Sequence, residues 1–339
     1  MKKNLSRFMA LALCLTGALM AFAGCGNPKK ADSKNTVTDV TLNEVAHSIF
    51  YAPMYVAIEE GYFKEEGINL ELVTGFGADK TMTAVLSGEA DIGFMGPETT
   101  VYTRNEGSDD YVVNFAQLTQ RAGNFLVARE ELPDFTWDDL RGTEVLGGRK
   151  GGMPEMVFEY ILRQNNIDPA NDLSIDQSID FGSTAAAFSG GKGDFSVEFE
   201  PGATALEKEG AGYVVASLGV DSGYVPYTAF SAKSSYMEKH PDVIQKFTNA
   251  LQKGLEYTLS HTPEEIAEVI SPQFKETDMD TLTTIISRYH EQETWKENLI
   301  FEESAYNLLL DILSESGELT DRPAYKDLID SSFAEKAAK

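Results

Sequence analysis

The chain has 339 residues, with 28 lysines and arginines against 54 aspartates and glutamates and a formal net charge of −26. A surface this acidic repels nucleic acid and anionic headgroups, so neither is an expected partner. About 300 residues follow the N-terminal segment, more than one hydrophobic core usually supports, which predicts two domains.

Residues 1–24 read as an export signal. Lys2, Lys3 and Arg7 form a basic start, and Phe8 to Phe22 is an apolar run too short and wrongly flanked for a membrane span. Phe22-Ala23-Gly24-Cys25 closes it, and a cysteine after two small residues here resembles the lipobox of bacterial lipoproteins. The resemblance implies that Cys25 is acylated and becomes the first mature residue; the plainer alternative is an ordinary signal peptide cut nearby. Cys14 lies in the removed part, so no structural disulfide is expected despite export. Residues 25–36, small and polar, predict a flexible tether. The expected location is extracytoplasmic, anchored to the membrane by lipid alone.

Val37, Val40, Leu42 and Val45 alternate with polar residues and predict a strand. A helix is expected over Pro53–Tyr62, ending near Gly61, then a strand over Ile68–Val73. Gly75-Phe76-Gly77-Ala78 turns into a helix from about Asp79 that ends at Gly88, before a short strand at Asp91–Met95. This βαβαβ order predicts a mostly parallel sheet with ligands outside the carboxyl ends of its strands. A second series starts at Trp137: a strand at Val145–Gly147, a helix opened by Met153-Pro154-Glu155, strands at Leu173–Ile175 and Phe195–Val197, and a small-residue helix at Ser183–Ser189 between them. The strand-like segments Asn124–Arg129 and Tyr227–Ala232 bracket this unit as hinges. Pro241 opens an amphipathic helix, Thr262-Pro263-Glu264-Glu265 is a capping box, and Leu308, Leu309, Ile312 and Leu313 line a last helix stopped by Gly317. The C-terminal helices are expected to pack on the first domain, giving domain 1 as 37–126 plus 230–339 and domain 2 as 127–229.

Four stretches, in order, carry a family resemblance. They are Ala52-Pro53-Met54-Tyr55-Val56-Ala57 running into Gly61-Tyr62-Phe63-Lys64, Leu86-Ser87-Gly88-Glu89-Ala90-Asp91, Asp139-Leu140-Arg141-Gly142, and Glu200-Pro201. Together they resemble solute-binding proteins of ABC importers, in the group that binds nitrate, sulfonates, taurine and the thiamine pyrimidine precursor. The resemblance covers roughly residues 42–235. It implies an α/β, two-domain, periplasmic-binding-protein-like clam-shell (type II), each domain a mostly parallel sheet flanked by helices, joined by two hinge strands. It also implies a small-molecule ligand, an ABC permease and its ATPase as partners, a monomer, no cofactor and no catalysis.

Strand-end loops supply the candidate ligand residues: His47, Phe50, Tyr51, Gly96, Glu98 and Thr99 from the first domain, and Arg149, Gly151, Gly152, Met153, Glu155, Phe181, Glu198 and Glu200 from the second. Glycines let backbone N–H groups approach a ligand, a helix start adds partial positive charge, and aromatic faces stack on flat ligands. Each has a structural alternative: Phe50 and Tyr51 as core, Glu98 as a helix cap, Arg149 as a solvated surface residue, His47 as a hydrogen-bonding brace. Carboxylates beside aromatics suit a nitrogen heterocycle whose amino hydrogens they accept. A sulfonate or nitrate would want Arg121, Arg149 and backbone donors instead.

Enzyme chemistry finds little support. Gly151-Gly152 lacks the Gly-Lys-Ser/Thr of a P-loop, the four histidines are scattered without metal-ligand spacing, and no Ser–His–acid signature appears. Eukaryotic relatives of this fold that synthesise the thiamine pyrimidine carry a cysteine cluster that this chain lacks. A surface sensor or adhesin built on the same clam-shell is the remaining alternative.

Overall fold

In a computed structural model the described residues are 37–179 and 182–339; the leader, Cys25, the tether and Phe181 lie outside them. Among the described residues ten strands form two five-stranded sheets. They are β1 (Thr38–Glu44), β2 (Ile68–Thr74), β3 (Ile92–Met95), β4 (Val112–Thr119), β5 (Asn124–Ala128), β6 (Glu144–Leu146), β7 (Ser174–Asp176), β8 (Phe195–Phe199), β9 (Tyr213–Ser217) and β10 (Thr228–Lys233). The first sheet runs β2-β1-β3-β10-β4 and the second β7-β6-β8-β5-β9, the same order twice.

In each sheet four strands share a direction and one opposes them. β1 pairs in parallel with β2 from Thr38↔Ile68 to Glu44↔Thr74, and with β3 on its other side. β10 lies antiparallel between β3 and β4. In the second sheet β5 takes that role between β8 and β9. The predicted hinge segments are therefore these two opposing strands, and the chain passes between the sheets through residues 120–123 and 218–227.

β4 and β9 were not anticipated. All eight β4 residues are buried, yet three of them are Asn114, Gln117 and Thr119, so neither alternation nor an unbroken apolar run marks it. The polar side chains find partners on other elements or on β4 itself: Asn114 Nδ2 donates to Thr100 Oγ1 at 2.9 Å, Thr119 Oγ1 lies 2.5 Å from Thr228 Oγ1, and Gln117 Nε2 donates to the Thr119 carbonyl at 3.0 Å while its Oε1 has no partner among the described residues. The helix expected over Pro53–Tyr62 is split into Ala52–Glu59 and Tyr62–Glu65, because Gly61 adopts φ 77° between them.

Helix Pro241–Ser260 crosses helix Ala52–Glu59 so closely that a Cβ on Gly254 would lie 2.3 Å from the carbonyl oxygen of Pro53. The core beneath includes Phe94 stacked on Phe230 at 4.0 Å. Helix Ser332–Ala337 packs on Pro241–Ser260 and β4, whereas Glu303–Glu315 reaches helix Met153–Gln164 beside the second sheet. The C-terminal helices thus touch both halves.

Candidate functional site

The carboxyl end of β1 carries a buried acid. Val40, Leu42 and Glu44 share one face, and Glu44 is fully buried. Tyr55 Oη donates to Glu44 Oε2 at 2.6 Å, Thr74 Oγ1 donates to Oε1 at 2.9 Å, and His47 Nδ1 lies 2.9 Å from the same oxygen. His47 Nε2 lies 2.9 Å from the Gln273 carbonyl oxygen, and the ring stacks on Phe274 at 4.7 Å. The hydrogen bond to Glu44 raises the His47 pKa above its usual value, against the opposing effect of burial. Both ring nitrogens thus face acceptors, which suits an imidazolium bracing β1 against the 271–274 turn.

The following turn, Ile49–Tyr51, is capped by Ser48, whose Oγ accepts from Phe50 N at 3.3 Å. Phe50 is fully buried, with Tyr51, Phe199, Tyr227 and Tyr289 rings at 5.2–6.0 Å, and Trp295 Nε1 donates to its carbonyl at 2.9 Å. Tyr51 packs edge-on against Phe94 at 4.5 Å. Burial first, then the charges of Glu44 and Glu98, push its hydroxyl pKa far above the usual 10. Tyr51 therefore stands within electrostatic reach of both carboxyls.

Glu98 opens helix Glu98–Asn105 and is 2% exposed. A Cβ on Gly96 would lie 2.1 Å from Glu98 Oε2, so only glycine leaves room for this carboxyl. Thr99 Oγ1 donates to the Gly96 carbonyl at 2.8 Å and secures the turn. Burial pushes the Glu98 pKa up to about 8, opposed by backbone N–H groups of Glu98 and Met153. Its Oε2 has no hydrogen-bond partner among the described residues.

Met153 begins helix Met153–Gln164 beside the second sheet, with Gly152 as its extended cap. Contacts between the two halves meet here. The Met153 N–H lies near enough to Glu98 to oppose its pKa rise, Tyr102 Oη donates to the Gly151 carbonyl at 2.9 Å, and Arg149 forms an ion pair with Asp79 in which both side chains are more than half exposed. Glu155, in the first turn of that helix, accepts from Gly151 N at 3.1 Å and from Gln177 Nε2 at 2.7 Å. Burial and the neighbouring Glu159 push its pKa up to about 8.

Two further candidates are engaged locally. Glu198 accepts from Thr184 Oγ1 at 3.0 Å and from Ser196 Oγ, and burial pushes its pKa up to about 7. Glu200 accepts from Thr204 N and Oγ1 at 2.9 Å each and from Arg288 Nη1 at 2.8 Å. The structure thus gathers Tyr51, Gly96, Glu98, Thr99, Gly151, Gly152, Met153 and Glu155 around one junction. It commits His47, Glu198 and Glu200 to internal networks and Arg149 to the rim.

Sequence reasoning missed Glu44, Tyr55 and Tyr102. Glu44 was detectable, as an acid in register with Val40 and Leu42 on the inward face of β1. The junction brings together a carboxyl whose pKa burial raises and whose Oε2 has no partner among the described residues, a tyrosine hydroxyl, helix-start N–H groups and ring faces, all groups of the kind that bind small polar molecules. Among the described residues no group of His, Cys, Asp and Glu could hold a metal ion, and no helix is long and apolar enough to cross a membrane.

A profile of the family described as "NMT1/THI5 like" matches residues 49–266. The Bacillus subtilis protein YtlA, described only provisionally as a binding protein, is 43% identical over 335 residues, 98% of each chain. A ligand-binding component of an ABC-type import system from Staphylococcus aureus, with zinc bound, superposes with a TM-score of 0.71 at 17% identity over 88% of this chain and 99% of that one. The alkanesulfonate-binding protein SsuA of Xanthomonas axonopodis pv. citri, bound to MOPS, gives 0.70 at 13% identity over 87% and 99%. The nitrate-binding protein NrtA of Synechocystis gives 0.68 at 16% identity over 89% and 88%. These likenesses establish the two-domain periplasmic-binding-protein fold.

Proposed function

This chain belongs to the NMT1/THI5-like family, and from that premise we propose that it is an extracytoplasmic solute-binding protein of an ABC-type importer. In this reading it captures a small ligand between two lobes, 37–126 plus 230–339 and 127–229, and hands it unchanged to a permease. Cys25 carries the lipid that tethers it. Support comes from the family, from YtlA, and from the import-system and periplasmic proteins that share the fold.

The observation that carries the ligand assignment is Glu98, buried where the two halves meet, with one oxygen unpartnered. A group so placed binds a hydrogen-bond donor, and its protonated form can also give a hydrogen to a ring nitrogen. The acids Glu44, Glu98 and Glu155 are all within the buried surroundings, while Arg149 is paired with Asp79 and Arg121 with Glu293. We therefore favour a flat nitrogen heterocycle bearing an amino group, such as an aminopyrimidine of the thiamine-precursor type. The Met153 N–H at a helix start keeps a sulfonate or nitrate as the second reading.

Calorimetric titration with aminopyrimidines, taurine, alkylsulfonates and nitrate separates the two. An aminopyrimidine hit that Glu98→Gln weakens by roughly threefold to tenfold supports the first, since a hydrogen bond to an uncharged group contributes about 0.5–1.5 kcal/mol. Sulfonate binding that survives Glu98→Gln and fails with Arg149→Ala supports the second. Chemical conversion of the bound compound would overturn the transport reading.

A further inference from the structure

Helix Met279–Glu291 has two chemically different faces. Leu282, Ile285, Ile286 and Tyr289 are fully buried, and the helix packs on Pro263–Ile270 and on the turn Ile49–Tyr51 of the first half. Tyr289 lies 5.2 Å from Phe50. This side is apolar and costly to expose.

The other side meets helix Gly202–Lys208 of the second half through polar and charged groups. Lys208 Nζ donates to Asp278 Oδ2 at 3.4 Å and to Thr281 Oγ1. Arg288 reaches furthest: Nη1 donates to Glu200 Oε1 at 2.8 Å and to Thr204 Oγ1 at 3.1 Å, and Nη2 to Glu207 Oε2 at 2.7 Å. Its guanidinium also lies 5.8 Å from the Phe125 ring centroid. The Glu200 side chain has no exposure at all, so the cation that neutralises it comes from another part of the chain, 88 residues away.

A seam of this composition behaves differently from an apolar one. When it parts, water replaces each hydrogen bond, and the ring that the seam itself uncovers is Phe125 beneath the Arg288 guanidinium, so it can be broken and remade at less cost than an apolar seam. When it is closed, losing Arg288 would leave the buried Glu200 carboxylate held by Thr204 alone, which favours keeping the cation in place. We propose that Arg288 is a releasable clasp between the halves, and that helix Met279–Glu291 parts from helix Gly202–Lys208 when the molecule opens. This inference goes beyond the transport reading and needs no ligand to test.

The test is electron–electron distance measurement on the full chain without ligand. Spin labels are attached through non-natural side chains at the exposed positions Glu89 and Ser189, one in each half. Arg288→Ala should raise the ratio of long to short separations roughly tenfold, as expected for the loss of a charged hydrogen-bond cluster. Arg288→Lys should restore part of the short population. Glu207→Gln, which keeps the seam's shape, should shift it in the same direction by less, and it decides the matter should Arg288→Ala fail to fold. Unchanged distances in Arg288→Ala, or in Glu207→Gln if that variant decides, would overturn the clasp. So would a lowered melting temperature with no new long separation, since that is the signature of a merely structural pair.

Discussion

Glu98 offers a test of whether a buried carboxyl at the junction is protonated when the protein is folded. Its pKa stands at about 8 in the fold against a usual 4.5, with burial as the leading cause. Between those values the folded chain holds one proton that the unfolded chain releases. The sign follows: the group costs nothing below its unfolded pKa, and stability falls as pH rises through the window, levelling off above the folded value. One proton of difference is a slope of about 1.4 kcal/mol per pH unit. Glu98→Gln removes the titrating group and keeps its shape. Urea unfolding at constant ionic strength, followed by tryptophan fluorescence at pH 4, 5, 6, 7 and 8, should give nearly equal stabilities at pH 4. The variant should gain on the parent by on the order of 1 kcal/mol per pH unit above that. Glu155 and Glu198 titrate in the same direction in both proteins and cancel in the difference. Parallel curves across the range would refute the reasoning, for Glu98 would then be ionised in the folded state.

Phe50→Ala should cost about 3–5 kcal/mol in chemical unfolding, because the fully buried ring sits among four aromatic neighbours that cannot all collapse inward. Gly254→Ala should lower the melting temperature clearly, since the added Cβ meets backbone rather than a movable side chain. His47, whose pKa is raised mainly by Glu44, should add stability that is complete below pH 6.5 and lost as pH rises through its folded pKa. His47→Gln should therefore destabilise more at pH 5.5 than at pH 8.5 in thermal melts. Cys25→Ala should release the protein from the membrane fraction or leave it unprocessed, and mass spectrometry should find an acylated N-terminal Cys25 in the parent.

The paired βαβ units were legible because Val40 and Leu42, Leu70 and Leu72, and Gly88 and Gly61 punctuate short elements in ways that local sequence alone dictates. β4 was not, since a strand buried on both faces and carrying Asn114, Gln117 and Thr119 depends on partners far away, Thr100 and Thr228 among them. The loops around the junction were found from glycines and helix starts. What each side chain does there was hidden, because it is decided by long-range pairing. Arg149 faces Asp79 across 70 residues, and Glu200 faces Arg288 across 88. Glu200 shows the limit well: its place in the acidic-Pro pair was visible, and its counter-ion was not.

The order in which the strands enter the sheets bears on how the chain assembles. β5 to β9 lie in one uninterrupted stretch, 124–217, so every partner in the second sheet is available once that stretch has emerged. The first sheet begins to appear much earlier, yet β3 and β4 are joined only through β10, at 228–233. Its earliest strands must wait, with an unfilled slot, until more than a hundred later residues have passed. Sheets closed by such distant segments form slowly and expose unpaired edges meanwhile. The second half is thereby cast as the early scaffold, and the half that starts the sequence as the last to finish folding.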